Sequence, residues 1–161
     1  MIHQFNDIQK VPDLTQATFV PRANTPLLDA IGKGIGDCES CLNRLDEPNR
    51  PERVIMVIVT DGQENSSGEF SLATVQGLVK EKSEKERWQF VYLSADLAAM
   101  QDAQRLSMPA DSSMFYSHSG HGSSSAWRSL SGHSSAFRRG HKDKIGFAPG
   151  EREDAAKTKS S

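Results

Sequence analysis

The stretch Arg53-Val-Ile-Met-Val-Ile-Val-Thr-Asp61 decides the fold of this chain. Its central residues, from Val54 to Val59, are all apolar and most of them are β-branched. The run is short and is bounded by Pro51 on one side and by Asp61-Gly62 on the other. This pattern predicts a strand that is buried on both faces. Strands of that kind are typical of parallel sheets covered by helices.

Polar residues follow this strand at its carboxyl end, where Thr60, Asp61 and Gly62 stand in sequence. In open α/β sheets, ligands bind outside the carboxyl ends of the strands. Asp61 is therefore a candidate for chemistry or for binding a metal. Asp-Gly is also a common turn pair, so a purely structural role for Asp61 in a turn or a helix cap stays open.

Length and composition describe an ordinary soluble chain. The 161 residues suit one domain with a tail, and 25% of them are charged, with a net charge of −2. This balance provides no basic stripe for nucleic acid. No apolar run approaches the ~20 residues of a membrane span, and the first residues lack the pattern of a signal peptide. We therefore expect a cytoplasmic protein with no nucleic-acid partner and no membrane contact.

The two cysteines, Cys38 and Cys41, are three residues apart on the apolar stripe of a predicted helix. A zinc site needs about four ligands, and the sequence has no second cysteine pair and no histidine flanking this one. A redox Cys-x-x-Cys motif is a second interpretation. We favour buried free thiols, because both residues fall on the apolar stripe.

Helices and strands alternate along the chain. Thr25 followed by Pro26 predicts a helix start, with Thr25 as the N-cap of a helix over 26–45. Asp96 is expected to cap a later helix. The alternation predicts right-handed parallel crossovers. The other predicted elements are a short strand at 2–6, a helix at 71–85, a strand at 89–94, a helix at 97–106, an edge strand at 114–116 and a helix at 123–138.

Domain organisation follows from a change in composition near the end of the chain. Residues 1–138 are predicted to form one α/β domain, with Ala126, Trp127, Leu130 and Phe137 at helical spacing in its last helix. Residues 139–161 are basic and then polar, and we expect them to form a disordered tail.

Two motifs together resemble the von Willebrand factor type A (VWA) family: Asn24-Thr25-Pro26-Leu27-Leu28-Asp29-Ala30-Ile31, and the apolar strand that ends in Thr60-Asp61-Gly62. The resemblance implies a three-layer Rossmann-like open sheet with helices on both faces. It also implies a protein-interaction module with a metal-ion-dependent adhesion site for Mg²⁺. Thr25 is carried over as a hydroxyl ligand and Asp61 as a carboxylate ligand, direct or through water. An acidic residue of a partner protein would complete the site.

The chain departs from the family pattern at its start. The family's first strand, with its Asp-x-Ser-x-Ser loop, and its second strand would precede residue 1, so the chain resembles the C-terminal two-thirds of the domain. Asp111-Ser112-Ser113 comes nearest to the missing loop, but Phe115 stands at its last position. We therefore expect an incomplete metal site with weak or no affinity for Mg²⁺ in this chain alone.

The missing strands would also leave one edge of the strand at 54–59 uncovered. An apolar strand edge is a hazard for aggregation or pairing. We expect this edge to be covered by residues 2–6, by a second copy of the chain or by another polypeptide.

The sequence therefore predicts a non-enzymatic interaction module in the cytoplasm of a microbe or its virus. A second hypothesis is a metal-dependent α/β hydrolase that uses Asp61 and Asp96 at adjacent strand ends, with His118 or His121. A third is a gene fragment with no function of its own.

Overall fold

Three parallel strands and five helices make up the part of the chain that the structure describes. The computed structural model describes residues 5–13, 15–17 and 24–158. The strands β1 (Ile55–Thr60), β2 (Gln89–Ser94) and β3 (Ser113–Phe115) form an open sheet in the order β1-β2-β3. The helices are α1 (Leu27–Asn43), α2 (Leu72–Lys85), α3 (Ala99–Arg105), α4 (Gly120–Arg138) and α5 (Pro149–Ala156), with short 3-10 turns at Ile8–Lys10, Glu47–Asn49 and Ala110–Ser112.

The sheet separates two apolar clusters, because alternate side chains of β2 point to opposite faces. Phe90 and Tyr92 pack with residues of α1, α2 and α3 on one face. Val91 and Leu93 pack with residues of α4 and α5 on the other. An α/β fold with an open parallel sheet and helices on both faces is therefore confirmed. The three strands lie within about one residue of their predicted positions.

β1 differs from its prediction in burial. The sequence predicts a strand buried on both faces, and this is wrong: Val57 is 37% exposed and Val59 is 45% exposed. Within the part of the chain that the structure describes, β1 pairs only with β2 and lies at the edge of the sheet. β2, between two neighbours, carries the buried run instead. An apolar run alone does not distinguish an edge strand from a central one.

The predicted first strand at 2–6 lies mostly outside the described residues, which begin at Phe5. Phe5 and Asn6 do not belong to a strand. The free edge of β1 therefore has no neighbouring strand among residues 5–13, 15–17 and 24–158. The expectation that this edge is covered stays a prediction.

The packed structure extends past the predicted boundary at residue 138. α5 lies in the segment that was expected to be disordered, and Ile145, Phe147 and Ala155 are buried against α4 and the sheet. The prediction of disorder is therefore wrong for this segment. Three buried apolar side chains help to hold this segment, and the Arg152 guanidinium donates to the Asp111 carbonyl at 2.6 Å.

Helix α1 contains a glycine at a position of close packing. A Cβ on Gly32 would lie 2.6 Å from Cε1 of the Phe70 ring, so the ring occupies the space of a side chain. We expect Gly32→Ala to lower the free energy of unfolding by about 1 kcal/mol, because overpacking costs about 1–3 kcal/mol and the better helix propensity of alanine returns about 1 kcal/mol. Urea denaturation measures this change.

Gly36 provides the matched control on the same helix. It is exposed, and no atom lies within 4 Å of the position that its Cβ would take. Gly36→Ala is expected to stabilise the chain by up to about 1 kcal/mol through helix propensity alone. Equal effects of the two substitutions would contradict the close packing of Phe70 on α1.

Candidate functional site

Helix α1 begins one residue later than predicted, and Thr25 does not cap it. Pro26 stands at the N-cap position, and no side chain of the cap residue hydrogen-bonds the first turn. The prediction that Thr25 is the N-cap is therefore wrong. Glu64, from the loop between β1 and α2, supplies the missing acceptor: the Leu28 N–H donates to its Oε2 at 2.8 Å. The hydroxyl of Thr25 is thus not used in capping.

Glu64 also organises its own loop. Its Oε1 accepts hydrogen bonds from the N–H groups of Ser66 at 2.9 Å and Ser67 at 2.8 Å. Its Oε2 accepts from the Ser67 hydroxyl at 2.7 Å. Burial on its own raises the pKa of Glu64, but the hydrogen bonds from Ser67 and Leu28 outweigh it and hold the pKa below its usual value. The carboxylate is thus an anchor between the loop and the N-terminus of α1.

Asp29 holds the second half of the same loop. Its carboxylate accepts from the N–H groups of Gly68, Glu69 and Phe70 at 2.9, 2.9 and 2.8 Å. The hydrogen bond from Gly68 is the largest cause that lowers the pKa of Asp29. The aspartate of the Thr-Pro-Leu-Leu-Asp motif therefore anchors the loop. Because Asp29 lies in the first turn of α1, its hydrogen bonds hold the loop over the start of this helix.

A third carboxylate ties this loop to α3. The Glu64 N–H donates to Oδ2 of Asp102 at 3.0 Å, and Asp102 is buried. The Tyr92 hydroxyl, beneath the same region, donates to the Ala99 carbonyl at 3.0 Å. Burial raises the pKa of Tyr92, and the negative charges of Asp102 and Asp96 raise it further. Hydrogen bonds thus hold this loop both to α1 and to α3.

These anchors bring Thr25 next to the turn that carries Asp61. The Thr25 N–H donates to Oδ1 of Asn65 at 2.9 Å, and the Asn65 N–H donates to the Thr25 carbonyl at 3.2 Å. A Cβ on Gly62 would lie only 3.2 Å from Oγ1 of Thr25. The Thr60 hydroxyl closes the turn by donating to the Gly62 carbonyl at 2.8 Å. Thr25 thus lies beside the Asp61-Gly62 turn at the carboxyl end of β1, although Thr25 and Asp61 are 36 positions apart in the sequence.

Both candidate ligand groups have free side chains in the part of the chain that the structure describes. Asp61 is exposed, and neither its carboxylate nor the Thr25 hydroxyl has a hydrogen bond or an ion pair there. Burial raises the pKa of the Tyr116 phenol, and the negative charge of Asp61 raises it further. Tyr116 therefore lies close enough to Asp61 to interact with its charge. Sequence patterns do not indicate Glu64, Asp102 or Tyr116 at this site, since each lies far along the chain from Thr25.

The chemistry of this pair fits a weakly held Mg²⁺ and no more. Hydroxyl and carboxylate oxygens are suitable ligands, but Mg²⁺ has an octahedral shell. Among the described residues, no group of three or more His, Cys, Asp and Glu side chains is placed to hold a metal. Thr25 and Asp61 would therefore leave most coordination positions to water or to another polypeptide.

The residues of the hydrolase hypothesis have other contacts. Oδ1 of Asp96 accepts from the Ala98 N–H at 2.8 Å, which closes a turn before α3 rather than capping the helix itself. His121 lies on α4 with its Nε2 3.1 Å from Oδ1 of Asp154 on α5. His118 is exposed. In the described residues neither histidine has a contact with Asp61 or Asp96.

A second polar cluster joins α4 to α5. His133 Nε2 lies 2.9 Å from Oε2 of Glu151, and its Nδ1 lies 3.2 Å from the Lys142 ammonium. The Ser125 hydroxyl donates to Asp154 at 2.7 Å and, with His121, lowers the pKa of Asp154 to about 2. Every member of this cluster has a partner within it, so we interpret it as the attachment of α5.

The two thiols are free and half-buried. The prediction of free thiols is confirmed, and their burial is partial rather than complete. Burial raises the pKa of Cys38, the neighbouring Cys41 raises it further, and the charge of Lys82 opposes both. Cys38 packs against the apolar cluster of α1 and α2.

Comparison of the chain with models of known protein families, with curated proteins and with solved structures finds no match. None of the described helices combines the length and the apolar character needed to cross a membrane. The candidate site must therefore be interpreted from its own residues.

Proposed function

We propose that this chain is a protein-interaction module of the VWA type with an incomplete metal-ion-dependent adhesion site. The observation that carries the proposal is the pairing of Thr25 with the Asp61-Gly62 turn, where a Cβ on Gly62 would lie 3.2 Å from the Thr25 hydroxyl oxygen. These are the two family ligands that the sequence retains. Thr25 lies beside this turn at the carboxyl end of β1, and ligands of open parallel sheets bind outside the carboxyl ends of the strands.

The free oxygens of Thr25 and Asp61 would hold a hydrated Mg²⁺. Mg²⁺ gives up its water reluctantly and is often held by one or two carboxylates with several waters retained. The open positions are suited to an acidic side chain of a partner protein, which would supply charge and a further oxygen. The loop anchors Glu64 and Asp29 support this role, because they fix the loop without using either ligand group.

The hydrolase hypothesis has less support. Asp96 accepts a backbone hydrogen bond in its own turn, and His121 pairs with Asp154 on α5. No nucleophile with an adjacent base stands beside Asp61 in the described residues. The gene-fragment hypothesis predicts a chain that lacks a cooperative unfolding transition.

We expect Mg²⁺ to raise the unfolding midpoint of the full chain relative to a chelator. A ligand that binds only the native state stabilises it by about 1.4 kcal/mol at about ten times its Kd, which is about 3–5 °C for a domain of this size. A thermal unfolding scan in excess Mg²⁺ and in chelator measures the shift. Thr25→Ala and Asp61→Ala are expected to reduce it.

Asp46→Ala is the matched control, because Asp46 is an exposed aspartate whose side chain does not cap the adjacent 3-10 turn. It is expected to retain the full Mg²⁺ shift. An identical shift in Thr25→Ala, Asp61→Ala and Asp46→Ala would contradict the site. If the chain unfolds cooperatively but Mg²⁺ does not change the unfolding midpoint, the chain is a folded module that has lost the metal site and binds partners through its surface alone.

A further inference from the structure

The free edge of β1 presents an ordered row of backbone groups. The Gln89 N–H donates to the Val54 carbonyl at 2.9 Å, and the parallel register pairs Val57 with Val91. Backbone groups alternate in direction along a strand. The N–H and C=O groups of Ile55, Val57 and Val59 therefore point away from β2, toward the free edge.

The side chains of the same residues are apolar and partly open to solvent. Val57 and Val59 are 37% and 45% exposed, on the sheet face that carries α4 and α5. Natural edge strands are protected by a lysine, a proline or a bulge. β1, with the sequence Ile-Met-Val-Ile-Val-Thr, contains neither lysine nor proline. This edge has the properties of a strand that pairs.

The charges that flank β1 select one mode of pairing. Arg53 stands four residues before Val57, and Asp61 stands four residues after it. The Arg53 guanidinium donates to the Lys142 carbonyl at 3.0 Å and lies 4.7 Å from the centroid of the Phe137 ring, but its ion pair with Asp143, at 4.0 Å, is open to solvent. Asp61 has no ion pair in the described residues. A second β1 in antiparallel orientation, with Val57 facing Val57, sets each Arg53 opposite the Asp61 of the other copy.

The hydrogen bonding agrees with this register. In an antiparallel pair, directly opposite residues whose backbone groups face the partner exchange two hydrogen bonds. Val57 faces its own copy in this way, and Ile55 faces Val59. Every outward backbone group of β1 then has a partner, and the exposed valines of both copies lie together on one face.

We propose that two copies of this chain pair through antiparallel β1 strands, centred on Val57, with Arg53 of each copy opposite Asp61 of the other. The pairing joins two three-stranded sheets into one continuous sheet of six strands. It uses Asp61, the carboxylate of the proposed cation site, but does not require a metal, so dimerisation measured in chelator is tested separately from metal binding.

The test is the mass of the full chain in solution, measured by sedimentation against concentration in chelator. The wild type is expected to form dimers. Arg53→Asp and Asp61→Arg, each alone, place like charges opposite each other at both ends, and the dimer dissociation constant is expected to rise roughly tenfold. An equimolar mixture of the two variants restores both charge pairs, and dimers are expected to return.

Recovery on mixing separates this register from damage to the fold, because two misfolded chains do not rescue each other. A monomeric wild type at all concentrations would overturn the proposal, and would point to residues 1–23 or another protein as the cover of the edge. The proposed register would be overturned if neither substitution changes the dimer dissociation constant, or if the mixed variants do not form dimers.

A cross-link keeps the test valid if the charge variants do not fold. Opposite hydrogen-bonded residues have Cα atoms about 5.5 Å apart, which suits a disulfide. Under mild oxidation, Val57→Cys is expected to give a covalent dimer above the level of the wild type, which already holds Cys38 and Cys41. Val59→Cys is the matched control, because its opposite residue is Ile55. Equal cross-linking of both variants would contradict the centre at Val57.

Discussion

Replacing Gly122 with alanine is expected to lower the free energy of unfolding by about 3 kcal/mol and to release α5 from α4. A Cβ on Gly122 would overlap the Ser117 hydroxyl and would lie 2.6 Å from the Ala155 carbonyl oxygen and 2.7 Å from the Ser117 carbonyl oxygen. Two of these atoms belong to the backbone and cannot turn aside. The same carbonyl of Ala155 accepts from the Ser117 N–H at 2.9 Å, so the intruding methyl group breaks the contact that ends α5.

Gly132→Ala is the matched control for this substitution. Gly132 lies on the same helix, is exposed, and has no atom within 4 Å of its Cβ position. It is expected to stabilise the chain by up to about 1 kcal/mol. Urea denaturation measures both changes, and hydrogen exchange over Pro149–Ala156 reports whether α5 has left. Equal stability of the two variants would contradict the close approach of α4 to α5.

Replacing Glu64 with alanine is expected to lower the free energy of unfolding by about 2 kcal/mol. Loss of an N-cap acceptor costs about 0.5–2 kcal/mol, and Glu64 serves this role for α1 through Leu28. The substitution also removes the acceptor of the exposed Ser66 N–H and of the partly buried Ser67 N–H, and a buried donor that loses its partner is costly. Glu69→Ala is the control, because Glu69 is an exposed glutamate of the same loop whose side chain has no contact.

The Glu64 effect has a defined pH dependence. Its folded pKa lies below the unfolded value of 4.5, so its contribution is fully present above pH 4.5 and is lost as the pH falls through the folded pKa. The difference in unfolding free energy between the wild type and Glu64→Gln is therefore expected to shrink as the pH is lowered below 4.5. A difference that grows on acidification would contradict the assignment of the hydrogen bonds to the carboxylate.

Local pattern was sufficient to predict the strands and most of the helices. The apolar runs at Ile55–Thr60 and Gln89–Ser94 are too short for helices and are bounded by turn residues, so each was found within about one residue. The three- to four-residue spacing of apolar residues likewise predicted α1, which runs from Leu27 to Asn43. These elements are determined by residues that are close together in the sequence, so a local pattern is enough to predict them.

Contacts between distant parts of the chain were not predictable in this way. The side-chain acceptor at the N-terminus of α1 is supplied by Glu64, 36 positions from Leu28, whereas the local rule predicts Thr25. The helical spacing predicts that Trp127 faces inward with the other apolar residues of α4, but Trp127 is 47% exposed, because this spacing does not fix the width of the buried stripe. α5 was missed, since a few apolar residues such as Phe147 hold a largely polar segment.

The proposal that Thr25 and Asp61 form one cation site is tested most directly by a titration of the full chain with Mg²⁺, followed residue by residue through its amide resonances. The predicted result is a shift confined to Thr25, Asp61 and Gly62 that saturates as the Mg²⁺ concentration rises and disappears in Asp61→Ala. The contradicting result is an absence of change at these three amides over the same range, or an equal change in the wild type and in Asp61→Ala.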